Sequence, residues 1–450
     1  MNKILIIGAG RSATALIKYL LEQSVTHQWA IVLADSNLDL AKSKVGGHPN
    51  ATAVQLDIYN EESRQKFIRE ADVVVSMLPA SLHMDVAHYC IAFRKHFVCA
   101  SYVTKEMKEL DEAARDKGLV FMNEMGLDPG IDHMSAMQVI NDIKARGGKL
   151  KAFKSYTGGL VAPESDDNPW HYKFTWNPRN VVVAGQTTAQ FLENRKLKLL
   201  PHKRLFRDYR LTEIPGLGTY EIYPNRDSLS YLETYELQDI PTILRGTLRK
   251  QGFCDAWHAF VKMGLTDDEI QIKDSDKMTY RDLVEAFLHN ETGTLEERVA
   301  KLIRVDVDSK VMDQLRWTGI FEEKRIQQKN ASPACILEHL LLDKWSLKPD
   351  DKDMIIMKHE FDYELDGQNH HLSSTLVMKG EDQVNTAMAK LVGLPMGIFV
   401  KLIMTGQYTI PGVQIPVMKA VYDPALVELR QYGVVFKEVE AVEEVPRMHK

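Results

Sequence analysis

The chain has 450 residues, enough for about three domains of ordinary size, and its 44% apolar share can fill their cores, which excludes disorder as the main state. Fifty-six basic against 62 acidic residues leave a net charge of −6 without a long block of either sign, which disfavours nucleic acid or an anionic membrane as a partner. Four cysteines, Cys90, Cys99, Cys254 and Cys335, form no CxxC pair, which argues against a disulfide scaffold and a structural zinc site and for a reducing compartment.

The opening MNKILIIGAG lacks the basic, apolar and small-residue succession of a leader, and no later run approaches the roughly 18 apolar residues of a membrane span, so a cytoplasmic protein without a membrane partner is expected. The first 125 residues alternate short β-rich runs with helical stretches. Lys3 to Ile7, Ala30 to Leu33, Ala51 to Leu56, Val73 to Ser76, His96 to Ala100 and Leu119 to Met122 each fit a buried parallel strand. Ala13, Leu16, Ile17, Leu20 and Leu21 recur at helical spacing between the first two, and further helices are expected near 61–70, 83–94 and 105–117. The alternation predicts an α/β domain with a Rossmann-type doubly wound parallel sheet.

After Gly130 one helix, about Asp132 to Ala145, ends at Gly147-Gly148 and strand-like runs rich in Tyr, Phe and Thr follow, which predicts an α+β mixed-sheet domain. Thr247 to Lys344 is charged and helical and reads as an all-helical insertion. A hairpin through Asp366-Gly367 rejoins the second sheet, and helices near Gln383 to Met404 and Pro424 to Tyr432 close the chain. The expected domains are therefore 1–128 completed by 383–450, then 129–246 with 345–382, and the insertion over 247–344.

Gly8-Ala9-Gly10-Arg11-Ser12-Ala13 lies between a strand and a helix, where the glycines allow a tight turn and let backbone amides approach a pyrophosphate; Ala13 replaces the third glycine, an allowed variant. Asp35 ends the second strand, where a carboxylate can accept from ribose hydroxyls and repel a 2′-phosphate, which favours NAD; capping of the helix near Asn37 is the plainer alternative. The ligand crevice of such a sheet lies beyond the strands' carboxyl ends. This places Ser36, Asp57, Ile58, Ser76, Met77, Leu78 and Pro79 toward the cofactor, and Ser101-Tyr102 and Asn123 to Pro129 beside them. NEMGLDPGIDH packs Glu124, Asp128, Asp132 and His133 into one turn, with capping by Asp128 as the bland reading. Farther on, Ser155 to Leu160 offers hydroxyls and amides to an anion, and Arg226 and Arg245 could clamp carboxylates. His370-His371 lies in strand-like text whose neighbours face opposite ways, and no metal site is expected.

Together, GAGRSATAL, SMLPASLH, KHFVCASYVTKEM, NEMGLDPGIDHMSAM, SYTGGLVAPE, NPWHYKFTWNPRN, YPNRDS, TILRGTLR and LVGLPMGIFVKLIMTG resemble the glutamate-forming saccharopine dehydrogenases, also called saccharopine reductases. The resemblance spans essentially the whole chain. It implies a homodimer, an amino-acid substrate carrying three carboxylates, and substrate contacts at Ser101, Tyr102, Asp128, Gly158, Gly159, Trp176, Arg226, Arg245, Gly246 and Thr247. Thr157 stands beside these contacts, where the family usually has cysteine. Asp128 and then Tyr102 are the candidates for proton handling. The resemblance also implies NADP, whereas Asp35 favours NAD. A carboxynorspermidine-type carboxyalkylamine dehydrogenase and a non-catalytic nucleotide-binding regulator on the same fold remain alternatives.

Overall fold

The computed structural model describes residues 2–444 apart from Thr187, Asn290 and Glu291, and the chain divides into two compact units. The first comprises Met1–Gly148 and Gly380–Lys437, the second Lys149–Lys379 and the residues from Glu438 on.

In the first unit β1 (Lys3–Ile7), β2 (Ala30–Asp35), β3 (Ala51–Gln55), β4 (Val73–Ser76), β5 (His96–Cys99) and β6 (Val120–Met122) form a parallel sheet in the order β6-β5-β4-β1-β2-β3. A seventh strand, Gly412–Gln414, extends it beside β6. That strand was not expected, because three residues carry no readable alternation. Helices cover the sheet, and Leu5, Ile7, Val74, Phe97 and Phe121 sit in one buried cluster. The helix Thr14–His27 packs on Ala387–Met404 at close range: a Cβ on Gly393 would come within 2.6 Å of the Leu16 nitrogen, and one on Gly397 within 2.6 Å of the Tyr19 ring. Ala387–Met404 has the length and apolarity of a membrane span, against the expectation that no run does, but 72% of it is buried inside the protein, as a core helix should be.

The second unit holds a nine-stranded mixed sheet. Its strands are β7 (Lys149–Val161), β8 (Ala189–Glu193), β9 (Lys196–Leu200), β10 (Arg210–Ile214), β11 (Gly218–Pro224), β12 (Thr242–Lys250), β13 (Asp353–Leu365), β14 (Gln368–Lys379) and the closing Lys437–Glu444. β7 is central, parallel to β12 and antiparallel to β13. The β13–β14 hairpin turns on two residues of positive φ, Asp366 (+52°) and Gly367 (+77°), the chemistry its Asp-Gly pair demands.

Three expected boundaries move. Residues 129–148 stay with the first unit, because the helix Ile131–Ala145 packs on Lys419–Gln431 and Asn141 donates to the Tyr422 hydroxyl at 2.8 Å. Lys437–Glu444 does not complete the first domain; it pairs with β14 and belongs, from Glu438, to the second unit. The helical segment begins only at Phe253, since β12 runs through Thr247 to Lys250. Its helices share one aromatic-rich core with Trp170, Tyr172 and Phe174, so they form a layer of the second unit rather than a separate body.

Candidate active site

The first unit builds a nucleotide cradle from backbone. Gly8 takes φ +106°, and a Cβ there would meet the Met77 carbonyl oxygen at 3.1 Å, whereas nothing stands within 4 Å of a Cβ on Gly10. The chain can therefore turn tightly at Gly8 and leave an open face at Gly10, as close approach by a pyrophosphate requires. Arg11–Ala13 form a short 3₁₀ turn leading into the helix Thr14–His27, with Arg11 exposed, Ser12 half-buried and Ala13 buried. The residues present thus fit a dinucleotide.

Asp35 does more than end β2. Its Oδ2 accepts from the Ala9 N–H at 2.7 Å and its Oδ1 from the Asn37 N–H at 2.8 Å, so the carboxylate ties the glycine turn to the second strand. Helix capping falls instead to Asn37, whose side chain accepts from Leu40 N–H. Lys44 donates to the Thr14 hydroxyl; burial pulls its pKa down while the Asp35 carboxylate holds it up. Asp57 is exposed and accepts from Tyr59 N–H, and the Ser36 carbonyl accepts from Gln55. The Ile58 carbonyl accepts from Arg64. Met77 and Leu78 are half-buried past β4 and Pro79 is exposed.

Beyond β4 and β5 lies a chain of polar groups. Ser76 Oγ is 2.9 Å from His83 Nδ1, and His83 Nε2 is 2.8 Å from Ser101 Oγ. Burial pushes the His83 pKa down to about 4, so the imidazole is neutral at pH 7 and each serine meets one defined nitrogen. Tyr102 donates to Asp128 Oδ1 at 3.3 Å. Glu124, at φ +57°, holds the loop between them: its N–H donates to the Ser101 carbonyl, its Oε1 accepts from Val103 N–H at 2.9 Å, and its Oε2 lies 2.8 Å from buried His133 Nε2. Gly130 closes the turn at φ +147°, where a Cβ would fall 2.0 Å from the Gly126 oxygen, and its N–H donates to Asp132. Asp128 is half-buried in this frame.

In the second unit the register aligns Thr157 of β7 with Thr247 of β12, and Tyr223 with Thr247. The Thr157 hydroxyl is buried without a hydrogen-bond partner. Gly158 and Gly246 stand where a Cβ would strike neighbours at 2.8 and 2.7 Å, and Gly159 pairs with Ile355. Arg245 is buried, its guanidinium 4.1 Å from the Tyr231 ring centroid. The turn that carries Arg226 is fastened to Arg245: Asn225 N–H donates to the Arg245 carbonyl and Arg245 N–H to the Ser228 hydroxyl, both at 2.9 Å. Arg226 is exposed at φ +49°, and Trp176 is exposed. The structure thus ties the turn of one sequence-predicted arginine to the strand of the other.

Residues 4–122 match the saccharopine dehydrogenase NADP binding domain, and residues 126–434 the saccharopine dehydrogenase C-terminal domain. The chain belongs to the saccharopine dehydrogenase family. It is 34% identical, over 97% of its length and 99% of the relative's, to a Schizosaccharomyces pombe protein named saccharopine dehydrogenase (NADP+, L-glutamate-forming). It is 32% identical over 97% of its length to the mitochondrial alpha-aminoadipic semialdehyde synthase of Bos taurus, covering 47% of that longer protein. The solved apo saccharopine dehydrogenase (L-Glu forming) of Saccharomyces cerevisiae superposes with a TM-score of 0.88 at 29% identity, covering 98% of this chain and all of that one.

The contacts that family resemblance implies fall into two sets: Ser101, Tyr102 and Asp128 in the first unit, and Gly158, Gly159, Trp176, Arg226, Arg245, Gly246 and Thr247 in the second. Sequence reasoning missed His83, Lys44 and the Asp35 tie. His83 ends SMLPASLH just past the fourth strand, where crevice topology could have marked it, but its place at the start of a helix concealed it.

Proposed function

We propose that this chain interconverts saccharopine with 2-aminoadipate 6-semialdehyde and glutamate, an oxidoreductase step of lysine metabolism acting on a C–N bond. Likeness to the S. pombe enzyme along essentially its whole length carries the reading. The chemistry of the site supports it, because a substrate with three carboxylates asks for several guanidiniums, and the turn that carries Arg226 is fastened to the strand that carries Arg245.

A nicotinamide cofactor bound at Gly8 to Ala13 supplies the hydride acceptor, or the donor in reverse. The chain's residues handle orientation and protons. The substrate nitrogen must be neutral before oxidation, and water attack on the imine and collapse of the carbinolamine each move a proton. Asp128 is the acceptor for these transfers, with Tyr102 donating to it at 3.3 Å and Ser101 presenting a hydroxyl whose direction neutral His83 sets.

The finer cofactor reading is NADP. An NAD preference would need Asp35 to accept from the ribose hydroxyls, but each of its oxygens already accepts a backbone N–H, and Lys44 and exposed Arg11 offer cations nearby. The match to an NADP binding domain supports the same choice. We also propose a homodimer formed through the second unit, whose strands β9 and β10 expose Leu197, Leu199 and Leu211, and a reducing compartment, which suits its unpaired buried thiols.

Nicotinamide absorbance followed with saccharopine and with carboxynorspermidine, using NADP+ and NAD+ in parallel, tests the function. Turnover of saccharopine with NADP+ preferred is expected. Turnover of carboxynorspermidine alone would overturn the substrate, and tighter NADH than NADPH binding would overturn the cofactor.

A further inference from the structure

β12 points Arg245, Thr247 and Arg249 to the same face, since alternate residues of a strand share a side. Arg249 has no counterpart among the residues that motif or topology singles out. Arg249 is 4% exposed, and its guanidinium lies over three rings, 5.0 Å from the Tyr172 centroid, 5.3 Å from Phe253 and 5.9 Å from Tyr223. Its only hydrogen bond among the described residues runs from Nη1 to the Leu248 carbonyl, and Nε has no partner.

Among the described residues no carboxylate bonds to this guanidinium. By register its cross-strand neighbour is Glu221, but that side chain spends its oxygens on the Gly252 and Cys254 N–H groups at 2.7 and 2.8 Å. The polar groups around Arg249 are the phenols of Tyr223 and Tyr172 and the thiol of Cys254, which burial keeps protonated and uncharged at neutral pH. A lone buried guanidinium is costly to a fold, and aromatic faces offset only part of the loss of water.

Both phenols lead toward residues of the proposed substrate set. Tyr223 pairs with Thr247 by register, and the Trp176 indole lies near the Tyr172 hydroxyl, which has no hydrogen-bond partner among the described residues. Two residues along a strand separate Arg249 from Thr247 by about 7 Å. An anion held at Thr247 therefore feels the guanidinium through a medium poor in water.

We propose that Arg249 is a substrate-specificity residue whose missing counter-charge is a carboxylate of the bound amino-acid substrate, held at Thr247. This rests on the saccharopine reading. Arg249 does not touch the ligand; it supplies field from behind the phenols and selects for a polyanionic substrate. At such a separation a unit charge in a partly buried site changes anion affinity roughly tenfold.

The test compares Arg249→Met and Arg249→Lys with the parent. For Arg249→Met the expected result is a KM for saccharopine raised about tenfold, unchanged NADP+ affinity, and a ligand-free melting midpoint equal to or above the parent's, because an uncompensated buried charge has been removed. Added glutamate should raise the midpoint of the parent more than that of Arg249→Met. Arg249→Lys keeps the charge and should stay within about threefold of the parent's KM; it carries the test if the methionine variant does not fold. An unchanged KM in Arg249→Met, a KM in Arg249→Lys raised as far as in the methionine variant, or a ligand-free midpoint lowered in an Arg249→Met protein that still folds would each overturn the inference. A parent that turns over no saccharopine would instead overturn the proposed function, and the melting comparison would still decide the role of Arg249.

Discussion

A dinucleotide in the first unit would meet backbone at Gly8 and Gly10, whereas an anion in the second would meet side chains of β12 and of the Arg226 turn. The first site is shaped by what the chain omits, since an added Cβ is the damaging change. In the second, Gly158 and Gly246 likewise leave no room for a Cβ, and cations set among aromatic rings are added to them.

The most severe way to test that contrast is Gly130→Ala, whose Cβ would fall 2.0 Å from the Gly126 oxygen at a φ of +147°. We expect loss of folded protein or a destabilisation above about 4 kcal/mol, read by thermal melting. Gly10→Ala, with open space around it, should melt like the parent and weaken only the cofactor. Equal behaviour of the two variants would break the comparison.

Next is Arg245→Ala, which should raise the KM for saccharopine by about 2–4 kcal/mol of binding while leaving NADPH affinity intact, as kinetics and cofactor titration would show. An unchanged KM would mean that the second site does not depend on this cation.

His83 gives a smaller, pH-dependent effect. Its folded pKa of about 4 lies below the ordinary 6.5, so the unfolded chain binds the extra proton and stability falls as pH drops from 6.5 toward 4. About 2 kcal/mol should be lost between pH 8 and pH 5, and His83→Gln should lack that loss in urea titrations at the two pH values. Identical pH slopes for both proteins would mean that the imidazole is not held neutral.

The smallest effect belongs to Lys44→Ala, expected to weaken NADPH by about 1 kcal/mol and NADH hardly at all, by fluorescence titration of both cofactors. Equal weakening of the two would remove Lys44 from 2′-phosphate recognition.

Alternation made the six early strands readable, and the Asp366-Gly367 turn was legible because only a few residue pairs accept two positive φ angles. The strand Gly412–Gln414 was not, since its identity comes from pairing with β6 rather than from its own three residues. The same holds for the boundary at Gly148: the helix Ile131–Ala145 looks alike in either unit until its partner Lys419–Gln431 is known. Among site residues, Tyr102 and Asp128 lie past strand ends, where topology marks them. Arg249 shares the visible alternation of Arg245, but that no carboxylate among the described residues bonds to it appears only once Glu221 is seen committed to two backbone amides.

The return of Gly380–Lys437 to the first unit also orders events in time. During synthesis all of Lys149–Lys379 must emerge before Ala387–Met404 can cover Leu16 and Tyr19 on the helix Thr14–His27. At about 5–20 residues per second that interval lasts roughly ten to forty seconds. The nucleotide-binding sheet, though encoded first, thus spends that period with an apolar helix face bare, and the mixed sheet encoded after it has most of its strands in hand before the first unit can close.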